Sequence, residues 1–204
     1  MNNSTIDTSK TIDLKVIDTK LYVKYMVCLR DKMILRSELD RLGLKYEITV
    51  FGAIGFLDEI TKAQYDGLKK NLSKSGLVLL DKKRSMLIDR IINTIVEEIH
   101  YTDKIPKLNY ADLINISSGS DDESILKIFS DVKGMSVLQF IVTQKIERVK
   151  ELLLYDDKPL SEIAELLNYK NEENLIAQFK KVTGLTPSYF TQLKKARQEI
   201  SSKS

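Results

Sequence analysis

Among its 204 residues the sequence has one cysteine, one histidine, three prolines and no tryptophan. A single cysteine excludes an internal disulfide, and one cysteine with one histidine is too few for a zinc finger or an HExxH site. Long apolar runs are also missing, since none approaches the roughly 20 residues needed to cross a bilayer, and no membrane association is expected. The opening stretch MNNSTIDTSKTIDLKVIDTK mixes polar and acidic residues where a secretory signal would need an apolar core, so the chain reads as cytoplasmic. No Gly-rich phosphate loop and no catalytic pair of carboxylates stands out, and Cys28 and His100 are the one thiol–imidazole pair the composition allows. An enzyme is not expected, nor is a cofactor. What remains is 43% apolar and 30% charged residues, enough for one or two domains with ordinary cores. The net charge of +3 is too small to diagnose a partner.

Two halves differ in periodicity. In the first, Leu21 to Val27 alternates like a half-buried strand, with Leu21, Val23, Tyr25 and Val27 on one face. Asp31 to Leu42 then carries a helical stripe of Ile34, Leu35, Leu39 and Leu42, stopped by Gly43. Tyr46 to Phe51 and Ala53 to Leu57 read as two strands of a hairpin around Gly52. Thr61 to Lys74 is helical, Gly76 ends it, and Leu77 to Leu80 makes a last strand. The order β-α-β-β-α-β predicts a small ferredoxin-like α+β domain. After a polar joint at Asp81 to Arg84, every segment has helical period. Met86 to His100 places Leu87, Ile91, Ile95 and Ile99 at i, i+4 spacing. The expected organisation is a tail over 1–19, a ferredoxin-like domain over 20–84, an all-α domain over 85–198, and a tail over 199–204.

Within the helical half, Tyr110 to Gly134 and Leu160 to Gly184 share one plan: short helix, turn, second helix ending in an aromatic and a glycine. Phe129 and Phe179 each precede their glycine by five residues, and Ile125 and Leu175 precede their phenylalanines by four. Such units read as helix-turn-helix pairs, whose second helix can enter a DNA major groove. In the second unit, Ser161 is a plausible N-cap, Ala164 is small where helices cross, Asn168 suits a left-handed turn, and Asn171 can cap the next helix. That helix is expected to bury Leu175, Ile176, Phe179 and Val182. Thr186-Pro187-Ser188 starts a final helix with Tyr189, Phe190 and Leu193 inward. Ser136 to Tyr155 reads as one linking helix of about 27 Å, near the roughly 34 Å repeat of a duplex turn once the helices' own offsets are added.

These residues resemble the AraC/XylS family of bacterial transcription regulators. The resemblance runs roughly from Met86 to Arg197 and is most specific in IERVKELLLYDDKPLSEIAELLNY followed by FKKVTGLTPSYF. Ile163-Ala164 looks like the family's IA pair, Asn168-Tyr169 stands for its usual Gly-Phe, and Phe179-Lys180-Lys181 with Gly184 and Pro187 matches its F-K-x-x-G-x-x-P ending. The resemblance implies two helix-turn-helix units joined by one long helix, with recognition helices in successive major-groove segments on one face of double-stranded DNA. On that footing Ser124, Lys127, Asn174 and Gln178 are the candidate base readers. Ser136, Lys180, Lys181, Thr186, Ser188, Lys194, Lys195 and Arg197 are the candidate phosphate contacts.

Local charge predicts an asymmetric binder. Residues 85–155 hold 8 Lys/Arg against 11 Asp/Glu, including Asp121, Asp122 and Glu123 at the start of the first recognition helix, whereas residues 177–197 hold five basic residues and no acidic one. Phosphate attraction should therefore come mainly from the second unit. The acids at 121–123 equally suit a helix N-terminus.

In the first half, Met26 to Asp31 resembles the M-x-C-x-x-C loop of heavy-metal-associated domains, with Asp31 in place of the second cysteine. One thiol and one carboxylate make a poor Cu(I) site, so Cys28 is a degenerate candidate and no bound metal is expected. An effector pocket for a small molecule, a homodimer interface and a protein-docking surface all stay open for this domain. The reading is a sequence-specific DNA-binding transcription regulator. Its alternative is a non-enzymatic interaction module that keeps the helix-turn-helix scaffold with weakened DNA binding. Operator, effector, oligomeric state and the sign of regulation are not written in the sequence.

Overall fold

The computed structural model describes residues 20–102, 125–156 and 158–202. Contacts divide the chain into two units, Met1–Met86 and Leu87–Ser204. In the first the order is β1 (Val23–Lys24), α1 (Leu29–Arg41), β2 (Tyr46–Ile48), β3 (Ile54–Phe56), α2 (Lys62–Lys74) and β4 (Val78–Leu79), after which α3 (Lys82–His100) begins. β1 pairs antiparallel with β4, matching Val23 to Leu79, and β2 pairs antiparallel with β3, matching Glu47 to Gly55. Leu21 joins the two ribbons by exchanging both backbone hydrogen bonds with Ile54, at 2.9 and 2.8 Å.

The helix ends of this unit follow from local chemistry. Thr61 and Gln64 form a reciprocal capping box at the start of α2. Gly43 and Gly76 take left-handed φ of 62° and 76° just past α1 and α2, and the next residues, Leu44 and Leu77, donate back to Leu39 and Leu72. Only a residue without a Cβ adopts that conformation without cost. Leu35 and Leu39 from α1, Leu68 and Leu72 from α2, and Leu21, Val23 and Ile54 from the strands fill one apolar core.

Three expectations need correction here. β1 ends at Lys24, because Tyr25 turns into the left-handed region at φ 67°; Tyr22 and Lys24 are buried along with Leu21 and Val23, while Val27 is 78% exposed. The hairpin strands are shorter than expected, since Thr49 closes the turn by accepting from Gly52 and from Ala53, whose N–H reaches its Oγ1. The polar joint at 81–84 is the first turn of α3, capped by the Asp81 carboxylate on the Arg84 N–H at 2.8 Å. Ser85 in that turn is fully buried and accepts from the Tyr22 N–H.

In the second unit the rest of α3 is followed by α4 (Ile125–Lys133), α5 (Val137–Tyr155), α6 (Leu160–Leu166), α7 (Glu172–Thr183) and α8 (Pro187–Ser201), so the last helix runs past residue 199. α3 buries Ile88, Ile91, Ile92, Ile95 and Ile99, whereas Leu87 is half-buried. α5 is one uninterrupted helix of 19 residues, with Ser136 and Gln139 making its capping box. The fifty-residue repeat is visible in side-chain packing. Phe129 of α4 meets Phe140 of α5 edge-on at 5.6 Å, and Phe179 of α7 meets Phe190 of α8 edge-on at 5.3 Å. Gly134 and Gly184 end α4 and α7 at φ 67° and 76°.

α6 is capped by Pro159, whose carbonyl accepts the Ile163 N–H, and the expected cap Ser161 lies inside the first turn. Val182 and Tyr189 are 41% and 46% exposed, contrary to expectation, because Leu175 and Phe179 already fill the buried stripe of α7 and Phe190 alone of the two aromatics turns inward. Among the described residues no helix is long and apolar enough to cross a membrane.

Burial separates residues that composition treats alike. Leu39→Ala should cost about 2–5 kcal/mol by urea unfolding, whereas Val50→Ala, at a side chain that is 95% exposed, should stay within about 0.5 kcal/mol.

Candidate nucleic-acid interface

The second helix-turn-helix is built by a turn rather than by a loop. α6 ends in a Schellman pattern: the Asn168 N–H donates to Glu165 at 3.0 Å and the Tyr169 N–H to Ala164 at 2.8 Å, with Asn168 at φ 54°. Asparagine tolerates that conformation better than a branched residue would. Three residues after Asn168, Asn171 caps α7, its Oδ1 accepting the Asn174 N–H at 2.9 Å. Ile163 and Ala164 of α6, Leu167 at its C-cap, and Leu175 and Phe179 of α7 are buried, and this fixes which face of α7 remains outside.

On the outer face Asn174 and Ala177 are exposed, and Lys180 and Lys181 are exposed in the last turn, where cations also suit the helix dipole. Gln178 is half-buried. It lines an open groove of about 470 Å³ with Met135, Leu138, Val142, Lys181 and Val182, between α7 and the N-terminal half of α5. Ser136 stands at that same end of α5, but its hydroxyl is engaged by the Gln139 N–H at 3.2 Å.

The other candidate phosphate contacts are not gathered there. Lys194 donates to the Asp156 carbonyl at 2.9 Å, and Arg197 reaches the Tyr155 hydroxyl at 3.4 Å, so both sit at the C-terminal end of α5. The 16 helical steps from Gln139 to Tyr155 correspond to about 24 Å of helix. Lys195 is exposed on α8. Thr186 is the backbone cap of α8, and its hydroxyl bonds that of Ser188 at 2.8 Å. In the first helix-turn-helix Lys127 is exposed on α4, whereas Ser124, together with Asp121, Asp122 and Glu123, lies outside the described residues.

Two polar clusters escaped sequence reasoning. His100 lies between Glu151 Oε2, 3.2 Å from Nδ1, and Gln144 Oε1, 3.3 Å from Nε2, and Arg148 donates to the same Glu151 oxygen at 3.0 Å. Lys145 donates to the Leu167 carbonyl at 2.7 Å. The available signal was Gln144 and Lys145 beside the apolar Ile146 of α5, but their partners are 44 and 22 residues away in sequence.

Cys28 is exposed and stands at the N-cap of α1. Asp31, in the place of a second thiol, accepts the Val27 and Cys28 N–H groups, each at 2.9 Å. That carboxylate is thus used in capping. Among the described residues no group of three His, Cys, Asp or Glu side chains could hold a metal ion.

Residues 119–192 match the family model of a helix-turn-helix domain. Similar curated proteins include the HTH-type transcriptional regulator YtdP of Bacillus subtilis (strain 168), 26% identical over 144 residues, which are 69% of this chain and 16% of YtdP. Another is the bifunctional transcriptional activator/DNA repair enzyme AdaA of the same organism, 31% identical over 97 residues, covering 47% of this chain and 46% of AdaA. The chain spans less than half the length of each. Among solved structures, the DNA-binding domain of the global transcriptional factor AdpA in complex with a target DNA aligns at a TM-score of 0.46 with 19% identity, over 55% of this chain and 96% of that one.

The two backbone N–H groups on Asp31, with the Cys28 thiol, hold its carboxyl below the ordinary value of 3.8. A depressed folded-state value means that its stabilisation is complete above about pH 4 and is lost as pH falls through the folded-state value. An NMR titration should show the Val27 and Cys28 amides shifting in that acid range in the native chain and not in Asp31→Asn.

Proposed function

We propose that the chain is a DNA-binding transcription regulator whose second helix-turn-helix leads in DNA contact. The observation that carries this is the outer face of α7: a capped helix after a tight turn, buried through Leu175 and Phe179, presents Asn174, Gln178, Lys180 and Lys181 together. An amide at 174 or 178 can donate to and accept from adenine, and the two lysines supply phosphate attraction. The helix-turn-helix match over 119–192 and the regulators it resembles support the same reading.

For the N-terminal unit we infer a ferredoxin-like fold related to heavy-metal-associated domains but without their metal. The pairing of β1 with β4, of β2 with β3, and of Leu21 with Ile54 supports a β4-β1-β3-β2 order. The use of Asp31 in capping supports loss of the metal. An effector or a second copy acting at this unit belongs to the same proposal.

Two measurements check these readings. In gel shifts with mixed-sequence duplex, Lys180→Ala with Lys181→Ala should weaken binding and reduce the log–log salt slope by about two, one for each phosphate contact. Unchanged affinity and slope would contradict the role of α7, and no binding by the native chain at low salt would favour an interaction module. After dialysis against Cu(I) or Zn(II), the native chain should retain no stoichiometric metal; retention abolished by Cys28→Ser would contradict the metal-free reading.

A further inference from the structure

Lys145 is a lysine where the periodicity of α5 calls for an apolar side chain. Val149 and Leu153, four and eight positions further on, are buried, and Lys145 lies along their face. Removing an ammonium from water is unfavourable unless the interior supplies partners. Here burial lowers the amine's pKa from the ordinary value of 10.5.

Both partners of Lys145 belong to the turn of the second helix-turn-helix. Its Nζ donates to the Leu167 carbonyl at 2.7 Å and stands 5.4 Å from the centroid of the Tyr169 ring, within cation–π range. Leu167 is the C-cap residue of α6. The Schellman bonds of the turn use the carbonyls of Ala164 and Glu165, and the Leu167 carbonyl goes to Lys145. Among the described residues the buried Tyr169 hydroxyl has no hydrogen-bond partner, and burial pushes it up to about 12; at 5.4 Å it is the ring of Tyr169 that faces the ammonium. The linking helix therefore grips the turn at Leu167 and Tyr169, on either side of the left-handed Asn168, the residue that sets the direction in which α7 departs.

We propose that Lys145 is a positioning residue for DNA sequence readout: it contacts neither base nor phosphate, and it holds the Leu167–Tyr169 turn so that α7 keeps one orientation against α5. This rests on the DNA-binding reading given above. Among the described residues the grip is particular to the second helix-turn-helix, since fifty positions earlier the chain has Ile95, which is fully buried. A methionine could fill the same volume without being desolvated as a charge, but it would leave the Leu167 carbonyl unpaired and the turn tied by packing alone.

The test compares the full chain with Lys145→Met, Lys145→Gln and Lys145→Arg, each at a temperature where circular dichroism shows it folded. Binding is measured to a duplex enriched from a random pool by the native chain and to a scrambled duplex of equal length, over a salt series. The native chain should prefer the enriched duplex. Lys145→Met and Lys145→Gln should lose about tenfold or more of that preference with the salt slope unchanged, because no phosphate contact is removed. Lys145→Arg, which keeps a donor and a cation over the ring, should stay within about threefold of the native preference. Full preference in both Met and Gln variants would overturn the positioning role while leaving the DNA-binding reading intact. So would a slope lowered by about one, which marks a phosphate contact. Absence of salt-dependent binding by the native chain would overturn the DNA-binding reading, and the role with it.

Discussion

The second unit depends on a phenylalanine buried near the end of a helix and met edge-on by a phenylalanine of the next. Phe179 against Phe190, and Phe129 against Phe140, lie fifty positions apart and lock the same helix–glycine–helix corner twice. Each of these rings has little or no exposure except Phe190, and no disulfide or metal cluster among the described residues shares their task. A ring of this size removes enough apolar surface from water that its loss would cost about 3–5 kcal/mol, a large part of a domain's net stability. Once Phe179 and Leu175 are committed inward, the opposite face of α7 has to be the outer one. The candidate interface is thus a consequence of where the core is.

Polar groups then refine what packing has set. Asn168 and Asn171 shape the entrance to α7 by conformation and by capping, and Lys145 ties that entrance to α5. The same economy is visible in the N-terminal unit, where Asp31 caps α1 in the position a second thiol would take in a metal loop. Charge is distributed unevenly around these fixed points. The net +3 combines a basic N-terminal portion, an acidic stretch over 85–155 and a cationic run over 177–197. Lys180 and Lys181 lie on the outer side of α7, whereas Lys194 and Arg197 bond to the far end of α5.

What the sequence made legible was local. The Asn171 cap, the left-handed Asn168, the stops at Gly43, Gly76 and Gly184, and the unbroken helix after Ser136 depend on a few neighbouring residues, and each is found where the spacing placed it. The order of elements in the first unit was readable for the same reason. Less legible was whatever distant residues decide. Alternation extended β1 to Val27, but Tyr25 leaves the strand where pairing with β4 ends at Lys24. Helical periodicity put Val182 and Tyr189 inside, but the space was already taken by Phe179 and Phe190. The partners of Lys145 and His100 come from helices that only folding brings close.

Selection of bound duplexes from a random DNA pool by the full chain should enrich a defined site whose strongest positions admit adenine contacts from the amides of α7. Output as random as the input after repeated rounds at low salt would contradict sequence-specific DNA binding.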